Sequence, residues 1–177
     1  NLQDYKGVYV FVQQVDNKIT GVSFELIGKA KELAAAMDTQ VTAILLGYNV
    51  APLCDELAEY GADKIVMVDN EALEPYRTEP YAYAISTIIE KYKPSVVLYG
   101  ATAIGRDLAP RVSARVRTGL TADCTKLEVD PETKGLQMTR PAFGGNIMAT
   151  ILCPEHRPQM ATVRPGVMQK IKPVKGA

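Results

Sequence analysis

The sequence predicts an α/β fold, a three-layer, doubly wound parallel sheet with a mostly antiparallel β extension in the C-terminal third. Three observations predict it. The first two thirds alternate between short apolar runs and longer segments with helical spacing. The short runs are apolar throughout, which is typical of parallel strands covered by helices on both faces. After about residue 119 the pattern changes to short strand-like runs divided by turns.

The first strand and helix follow from residue type and spacing. Residues 7–15 are rich in valine and aromatic side chains, which favours a strand. From Gly21 onward apolar residues recur on one helical face. We expect Ser23 to cap this helix and Glu25 to lie near the positive end of its dipole.

The same alternation occurs twice more, and it gives the rest of the parallel sheet and its helices. Glycine and proline mark the ends of these segments. We expect strands at residues 41–46, 64–68 and 95–99, and helices at residues 52–60 and from Pro80 onward.

The C-terminal third predicts the antiparallel extension. The segment DPETKG at residues 130–135 is a good hairpin connection. We predict one α/β domain over residues 1–169, and a linker or frayed tail over residues 170–177. The strand-like runs are residues 123–129, 136–141, 147–152 and 160–163.

Residues 100–107 are a candidate ligand loop, because ligands of open parallel sheets bind at the carboxyl ends of the strands. Gly100 and Gly105 let the backbone turn closely, Asp107 is a candidate cap, and Pro110 fits only the first helical turn. Amides there could hold a phosphate. A plain strand-to-helix turn is the favoured alternative, because neither a Gly-x-Gly-x-x-Gly nor a Walker spacing is present.

Several arginines follow this loop. Arg111 and Arg115 share a helical face at i,i+4 spacing, and Arg106 and Arg117 lie nearby in sequence. A solvated basic face is the default interpretation of such a pattern.

Composition narrows the function classes. The chain has 177 residues, with 20 basic and 20 acidic side chains, so its charge does not suggest a nucleic-acid partner. Three cysteines without paired spacing favour buried free thiols in a reducing compartment. No apolar run reaches the roughly 20 residues that span a bilayer. We therefore expect a cytoplasmic bacterial protein, although a mitochondrial matrix protein without its transit peptide would look the same.

Catalytic and metal centres are not indicated. His156 is the only histidine, and charged residues and prolines flank it, which predicts a surface turn. One histidine and scattered cysteines give no metal-ligand pattern, and no Gly-x-Ser-x-Gly elbow occurs. We predict no catalytic residues and no metal ligands.

Arginine, glycine and proline are used more densely than core packing requires in three segments taken together, TADCT (121–125), TRPAFGGN (139–146) and PQMATVRPG (158–166), which points to a surface built for a partner. Four blocks carry a family resemblance. In chain order they are GATAIGRDLAPR (100–111), GLTADC (119–124), TRPAFGGN (139–146) and PQMATVRPG (158–166). With these blocks in this order, the chain from residue 7 to about 168 resembles the N-terminal domain of the electron-transfer flavoprotein alpha subunit.

The resemblance implies an adenine nucleotide alpha hydrolase-like fold and a scaffold role in electron transfer. It implies pairing with the beta subunit in a heterodimer, FAD as the cofactor of that heterodimer, and an acyl-CoA dehydrogenase-type or other redox partner. It leaves open a place in a flavin-based electron-bifurcating complex. Because the family's C-terminal FAD domain is absent from this chain, we expect an electron carrier component that does not hold FAD alone, rather than a classical enzyme.

Arg140 is the sharpest site candidate. Pro141 restricts it to an extended conformation, and Gly144 and Gly145 permit close approach of another backbone or a flat ring. The resemblance implies that Arg140, with Phe143, Gly144 and Gly145, lies near a flavin held mainly by the beta subunit. Residue chemistry alone explains Arg140 equally well as part of a structural salt bridge.

Two other function classes remain at this stage. The same architecture serves stand-alone adenine-nucleotide-binding modules of the stress-protein type, but the phosphate loop of such a module is missing. A hydrolase or transferase ranks lowest, because the sequence offers no nucleophile and base pair.

Overall fold

A computed structural model describes residues 2–141, 148–170 and 172–176. The helices are α1 (Gly21–Met37), α2 (Cys54–Glu59), α3 (Thr78–Tyr92) and α4 (Ala103–Val116), with 3-10 turns at Leu2–Asp4, Ala51–Leu53 and Glu71–Leu73. The strands are β1 (Val8–Val12), β2 (Gln14–Val15), β3 (Lys18–Ile19), β4 (Val41–Gly47), β5 (Lys64–Asp69), β6 (Val96–Gly100), β7 (Leu120–Cys124), β8 (Lys126–Val129), β9 (Leu136–Pro141), β10 (Met148–Leu152) and β11 (Gln159–Val163).

Six strands form a parallel sheet in the order β5-β4-β1-β6-β11-β7. Alternate side chains of β1 enter two separate cores. Val8 and Val10 pack in one core with α1, and Tyr9 and Phe11 pack in the other with α3 and α4. Helices therefore cover both faces of the sheet, and the predicted three-layer α/β class is confirmed.

The antiparallel extension is a three-stranded sheet in the order β10-β9-β8. The predicted hairpin joins β8 to β9, where the N–H of Asp130 donates to the carbonyl of Gly135 at 2.9 Å. Leu127, Leu136 and Met138 of this sheet are buried in the same core as α1. The extension is therefore packed against the helix layer.

Two strand predictions in this region need correction. The run at residues 160–163 belongs to β11, which pairs in parallel between β6 and β7 and lies outside the antiparallel extension. All of its residues are buried, as expected of a strand inside a parallel sheet. The run at 123–129 divides at Thr125 into the end of β7 and all of β8.

Helix starts also differ from prediction. Ser23 does not cap α1; its buried hydroxyl bonds to the main chain of Gln13, and Thr20 is the residue that precedes the helix. Thr102, rather than Asp107, caps α4. Pro110 lies well inside α4 rather than in its first turn. A helix keeps a proline at such a position by giving up one main-chain hydrogen bond.

The segment after β11 runs back over the helix layer. The N–H of Gly166 donates to Glu25 of α1 at 2.8 Å, and Met168 is buried in the core that includes α1. Further on, the N–H of Val174 donates to the carbonyl of Glu59 at 2.8 Å. The division between a domain at 1–169 and a tail at 170–177 stays a prediction.

Candidate functional site

The crevice between β1 and β6 is where an open parallel sheet with this strand order binds its ligand. Here it is filled by polar side chains of the chain itself. The Ser23 hydroxyl accepts from the N–H of Gln13 at 2.8 Å and donates to the carbonyl of Gln13 at 3.1 Å. The Thr102 hydroxyl donates to the side-chain oxygen of Gln13 at 2.6 Å. These polar groups are already paired with one another, which leaves them little capacity for a nucleotide.

A cavity beside this crevice is also unsuited to a nucleotide. It encloses about 140 Å³, whereas small-molecule sites are generally about 300–1,000 Å³. Asp16 and Glu74 contribute to its lining, and none of the described residues around it is a lysine or arginine. Both size and charge disfavour a phosphate-bearing ligand, so the structure does not favour the stand-alone nucleotide-binding module.

The loop from β6 to α4 is a structural turn. A Cβ on Gly105 would lie 1.7 Å from the carbonyl oxygen of Gly100, so this glycine serves close packing of helix on strand. The N–H of Gly105 donates to the Thr102 hydroxyl at 3.1 Å. This first-turn amide is thus already capped, which supports the plain-turn alternative.

A different group of residues converges at the carboxyl ends of β7 and β11. Arg164 follows β11 directly, and Asp123 is the next-to-last residue of β7. Two guanidinium nitrogens of Arg164 approach the two carboxylate oxygens of Asp123 at 2.8 and 3.4 Å. Arg106, in the first turns of α4, lies 3.8 Å from the same carboxylate. These contacts join the strands β7 and β11 to the helix α4 at the carboxyl ends of the strands.

Arg140 adds a third cation to the group. It lies in β9 opposite Ala149, its side chain is exposed, and its charge acts on both Asp123 and Cys124. Among the described residues its guanidinium makes no hydrogen bond or ion pair, so the structural salt bridge finds no partner there. We call Arg106, Arg140 and Arg164, together with Asp123, the arginine edge.

Charge at the arginine edge is unbalanced, because three guanidinium groups surround one carboxylate. The Arg164 hydrogen bonds hold the pKa of Asp123 below its ordinary value, and the charges of Arg106 and Arg140 act in the same direction. Asp123 therefore stays ionised at neutral pH. Next to it, burial raises the pKa of the Cys124 thiol to about 12, so this thiol stays neutral and serves packing.

The remaining site candidates lie elsewhere or outside the described residues. Phe143, Gly144 and Gly145 fall within residues 142–147, which the structure does not describe. Arg111 and Arg115 both contact Glu79, at 2.6 and 3.4 Å, on the exposed surface between α3 and α4, which confirms the solvated basic face.

His156 occupies an exposed bend, as predicted. Of the three free thiols, Cys124 is buried, and Cys54 and Cys153 are partly buried. None of the described helices has the length and apolarity needed to cross a bilayer.

The sequence patterns indicate Arg140 as a site residue, but they do not indicate that Asp123, Arg106 and Arg164 lie near it. Each of these residues belongs to one of the four blocks. Asp123 and Arg164 lie at or just after the carboxyl end of a parallel strand, and Arg106 lies at the start of the helix that follows β6. That shared side of the sheet is the signal that could have grouped them.

Comparison with known proteins identifies the family. The sequence model of a family described as "Electron transfer flavoprotein domain" matches residues 8–177. The chain belongs to this family. The resemblance seen in the four blocks is thereby confirmed, and proteins of the electron transfer flavoprotein family carry flavin.

Relatives within the family refine the match. The chain is 52% identical over 171 residues to an electron transfer flavoprotein subunit alpha of Clostridium acetobutylicum, covering 97% of this chain and 51% of that protein. It is 52% identical over 160 residues to the lactate dehydrogenase (NAD(+),ferredoxin) subunit LctC of Acetobacterium woodii, covering 90% of this chain and 38% of that one. It is 42% identical over 192 residues to an acryloyl-CoA reductase electron transfer subunit beta of Anaerotignum propionicum, covering 96% and 52%. The chain spans about half the length of the first of these relatives.

Proposed function

We propose that this chain is the scaffold domain of an alpha-type electron transfer flavoprotein subunit, and that its arginine edge borders a flavin held mainly by a beta-type subunit. The observation that carries the proposal is the unbalanced charge at the strand ends, where Arg140 is exposed and has no ion pair among the described residues. A buried or self-paired cluster would have no charge left for a ligand.

The residues of the arginine edge fit one side of a flavin site. Guanidinium groups donate in a planar fork and stack on flat rings, which suits both the ring system and the phosphates of FAD. All of the edge's side chains are open to solvent, with Arg106 63% exposed, Arg164 44% and Asp123 31%. Such an open surface supplies contacts on one side only, so the rest of the site would come from outside this chain, which fits a beta-type subunit.

A bound flavin would supply the electron-transfer chemistry, and this chain would set the charge around it. A fixed positive charge beside the flavin stabilises its anionic reduced forms, so Arg140 makes the flavin easier to reduce. Asp123 and Arg164 are already paired and keep part of the edge rigid. The domain itself moves no electrons in this scheme.

The redox partners are proposed from the relatives' names. One relative is a subunit of a lactate dehydrogenase whose name includes both NAD(+) and ferredoxin, and another is an electron transfer subunit of acryloyl-CoA reductase. By analogy, the redox partner of the present chain's subunit is a dehydrogenase of the acyl-CoA or hydroxy-acid class. The two belong to an electron-bifurcating complex in the bacterial cytoplasm.

The test is Arg140→Ala in the heterodimer reconstituted with a beta-type subunit. We expect the flavin reduction potential to fall by on the order of 30–60 mV, since a tenfold change in a one-electron equilibrium corresponds to 59 mV. The measurement is a spectroscopic redox titration at fixed ionic strength. Arg111→Ala is the matched control, because Arg111 faces Glu79 on the outer surface of α4.

Two results would contradict the proposal. One is an unchanged flavin potential and spectrum in an intact Arg140→Ala heterodimer. The other is firm flavin binding by the 177-residue chain without any partner, which would show that the site is complete within it.

A further inference from the structure

Asp123 has an unusual backbone for a strand residue. Its φ is 58°, in the left-handed region that non-glycine residues adopt uncommonly. The pairing of β7 with β11 shifts register at this point, between Ala161 and Val163. The strand is therefore bulged at Asp123, and bulges often redirect a side chain beside a functional site.

The bulge is held in place by buried neighbours. The N–H of Asp123 donates to the hydroxyl of Thr162 at 2.8 Å, and Thr162 is 1% exposed. The conformation of Asp123 is thus fixed from within the sheet. Its carboxylate is consequently presented in one direction, toward Arg164 and Arg106.

The chain around Arg164 does not need the Asp123 side chain to stay in place. The N–H of Arg164 donates to the carbonyl of Cys124 at 2.9 Å, and two residues on the N–H of Gly166 donates to Glu25 at 2.8 Å. An exposed ion pair also adds little to stability. The Asp123 carboxylate therefore serves to orient the Arg164 guanidinium.

We propose that Asp123 is a positioning residue that, from the bulged end of β7, holds the Arg164 guanidinium on the arginine edge for contact with an anionic group of the flavin that Arg140 borders. This inference rests on the proposed function of the edge and adds two residues to it. Arg164 makes the contact, and Asp123 acts through Arg164.

Asp123→Asn distinguishes a positioning role of Asp123 from a simple charge effect, because the two predict opposite changes in FAD affinity. The substitution removes a negative charge, so by charge alone the edge becomes more positive and should bind the flavin more tightly. If Asp123 positions Arg164, the freed guanidinium loses its contact, and FAD should bind the heterodimer roughly three- to tenfold more weakly. Asparagine tolerates the left-handed conformation, so the bulge is retained.

A double variant tests whether Asp123 acts through Arg164. Arg164→Ala should weaken FAD binding at least as much as Asp123→Asn does, and Asp123→Asn should have no further effect in the Arg164→Ala background. Glu79→Gln is the control, because it makes the same acid-to-amide change beside two other arginines on the outer surface. We expect it to leave FAD affinity unchanged.

A second readout needs no flavin. In the 177-residue chain, NMR of the arginine side chains should show slow exchange of the Arg164 Nε–H, which donates to Asp123, and faster exchange in Asp123→Asn. Unchanged exchange would overturn the positioning role. So would tighter or unaltered FAD binding by Asp123→Asn in a heterodimer where Arg140→Ala shifts the flavin potential, although the proposed function would then stand. If Arg140→Ala has no effect either, both proposals fall.

Discussion

Gly105 packs directly against the main chain of Gly100, so closely that a Cβ on Gly105 would lie 1.7 Å from the Gly100 carbonyl oxygen. This contact brings the first turn of α4 onto the end of β6. It also fixes the place of Arg106, the next residue, on the arginine edge. A glycine that in other folds would admit a phosphate here sets the distance between a helix and a strand.

Gly105→Ala should therefore destabilise the domain. A methyl group cannot share space with a carbonyl oxygen, so α4 must shift away from β6, and overpacking of this kind costs about 1–3 kcal/mol. Urea denaturation followed by circular dichroism measures the loss in free energy of unfolding.

Gly119→Ala is the matched control for this prediction. A Cβ there would lie 3.7 Å from the Cys153 sulfur, an ordinary contact. Its effect should stay within about 0.5 kcal/mol. Equal effects of the two substitutions would show that Gly105 has no special packing role.

Much of the fold follows from local sequence signals. The strands β4 and β5 and the helices α1 and α3 are visible in the spacing of apolar residues, which depends only on near neighbours. The place of β11 is different, because its register between β6 and β7 is set by pairing with strands about 40 and 60 residues earlier in the chain. β11 is buried throughout, as expected of a strand in the parallel sheet. The runs that precede it in sequence are short and divided by turns, and this pattern predicted that it belongs to the antiparallel extension.

The cap predictions failed for a related reason. Ser23 and Thr102 are both good capping residues near a helix start. The main chain of Gln13 engages the Ser23 hydroxyl and so keeps it from capping α1, whereas Thr102 caps α4 while its hydroxyl also donates to the Gln13 side chain. A sequence pattern does not contain that contact. The arginine edge likewise needs the folded sheet to bring its four members together.

Tyr76 offers a test of pH dependence. Its hydroxyl donates to Asp107 at 2.7 Å, and burial, together with that carboxylate, raises the pKa of Tyr76 to about 12. A raised pKa in the folded state means that the neutral phenol is favoured by folding. The stabilisation should be complete below about pH 10, the ordinary tyrosine value, and be lost as pH rises toward about 12.

The measurement is NMR titration of the Tyr76 ring carbon that bears the hydroxyl, with unfolding free energies at neutral and alkaline pH. Tyr76→Phe should cost about 0.5–1.5 kcal/mol at neutral pH, and less as pH approaches 12. Tyr83→Phe, at a side chain 64% exposed, should change stability little. Ordinary titration of Tyr76 near pH 10 would contradict the contact with Asp107.

The antiparallel sheet should behave as an integral part of the domain, and two leucines test this. Leu127 of β8 is fully buried in the core that contains α1, and Lys134 of the adjoining hairpin donates to the carbonyl of Ala36 at 3.1 Å. Leu127→Ala should therefore cost about 2–5 kcal/mol in free energy of unfolding, by lost burial and the cavity left behind. Leu152→Ala makes the same change on β10, where the side chain is 55% exposed, and should cost less than about 0.5 kcal/mol. Urea denaturation of both variants measures the difference, and similar losses would mean that β8 does not pack on the helix layer in solution.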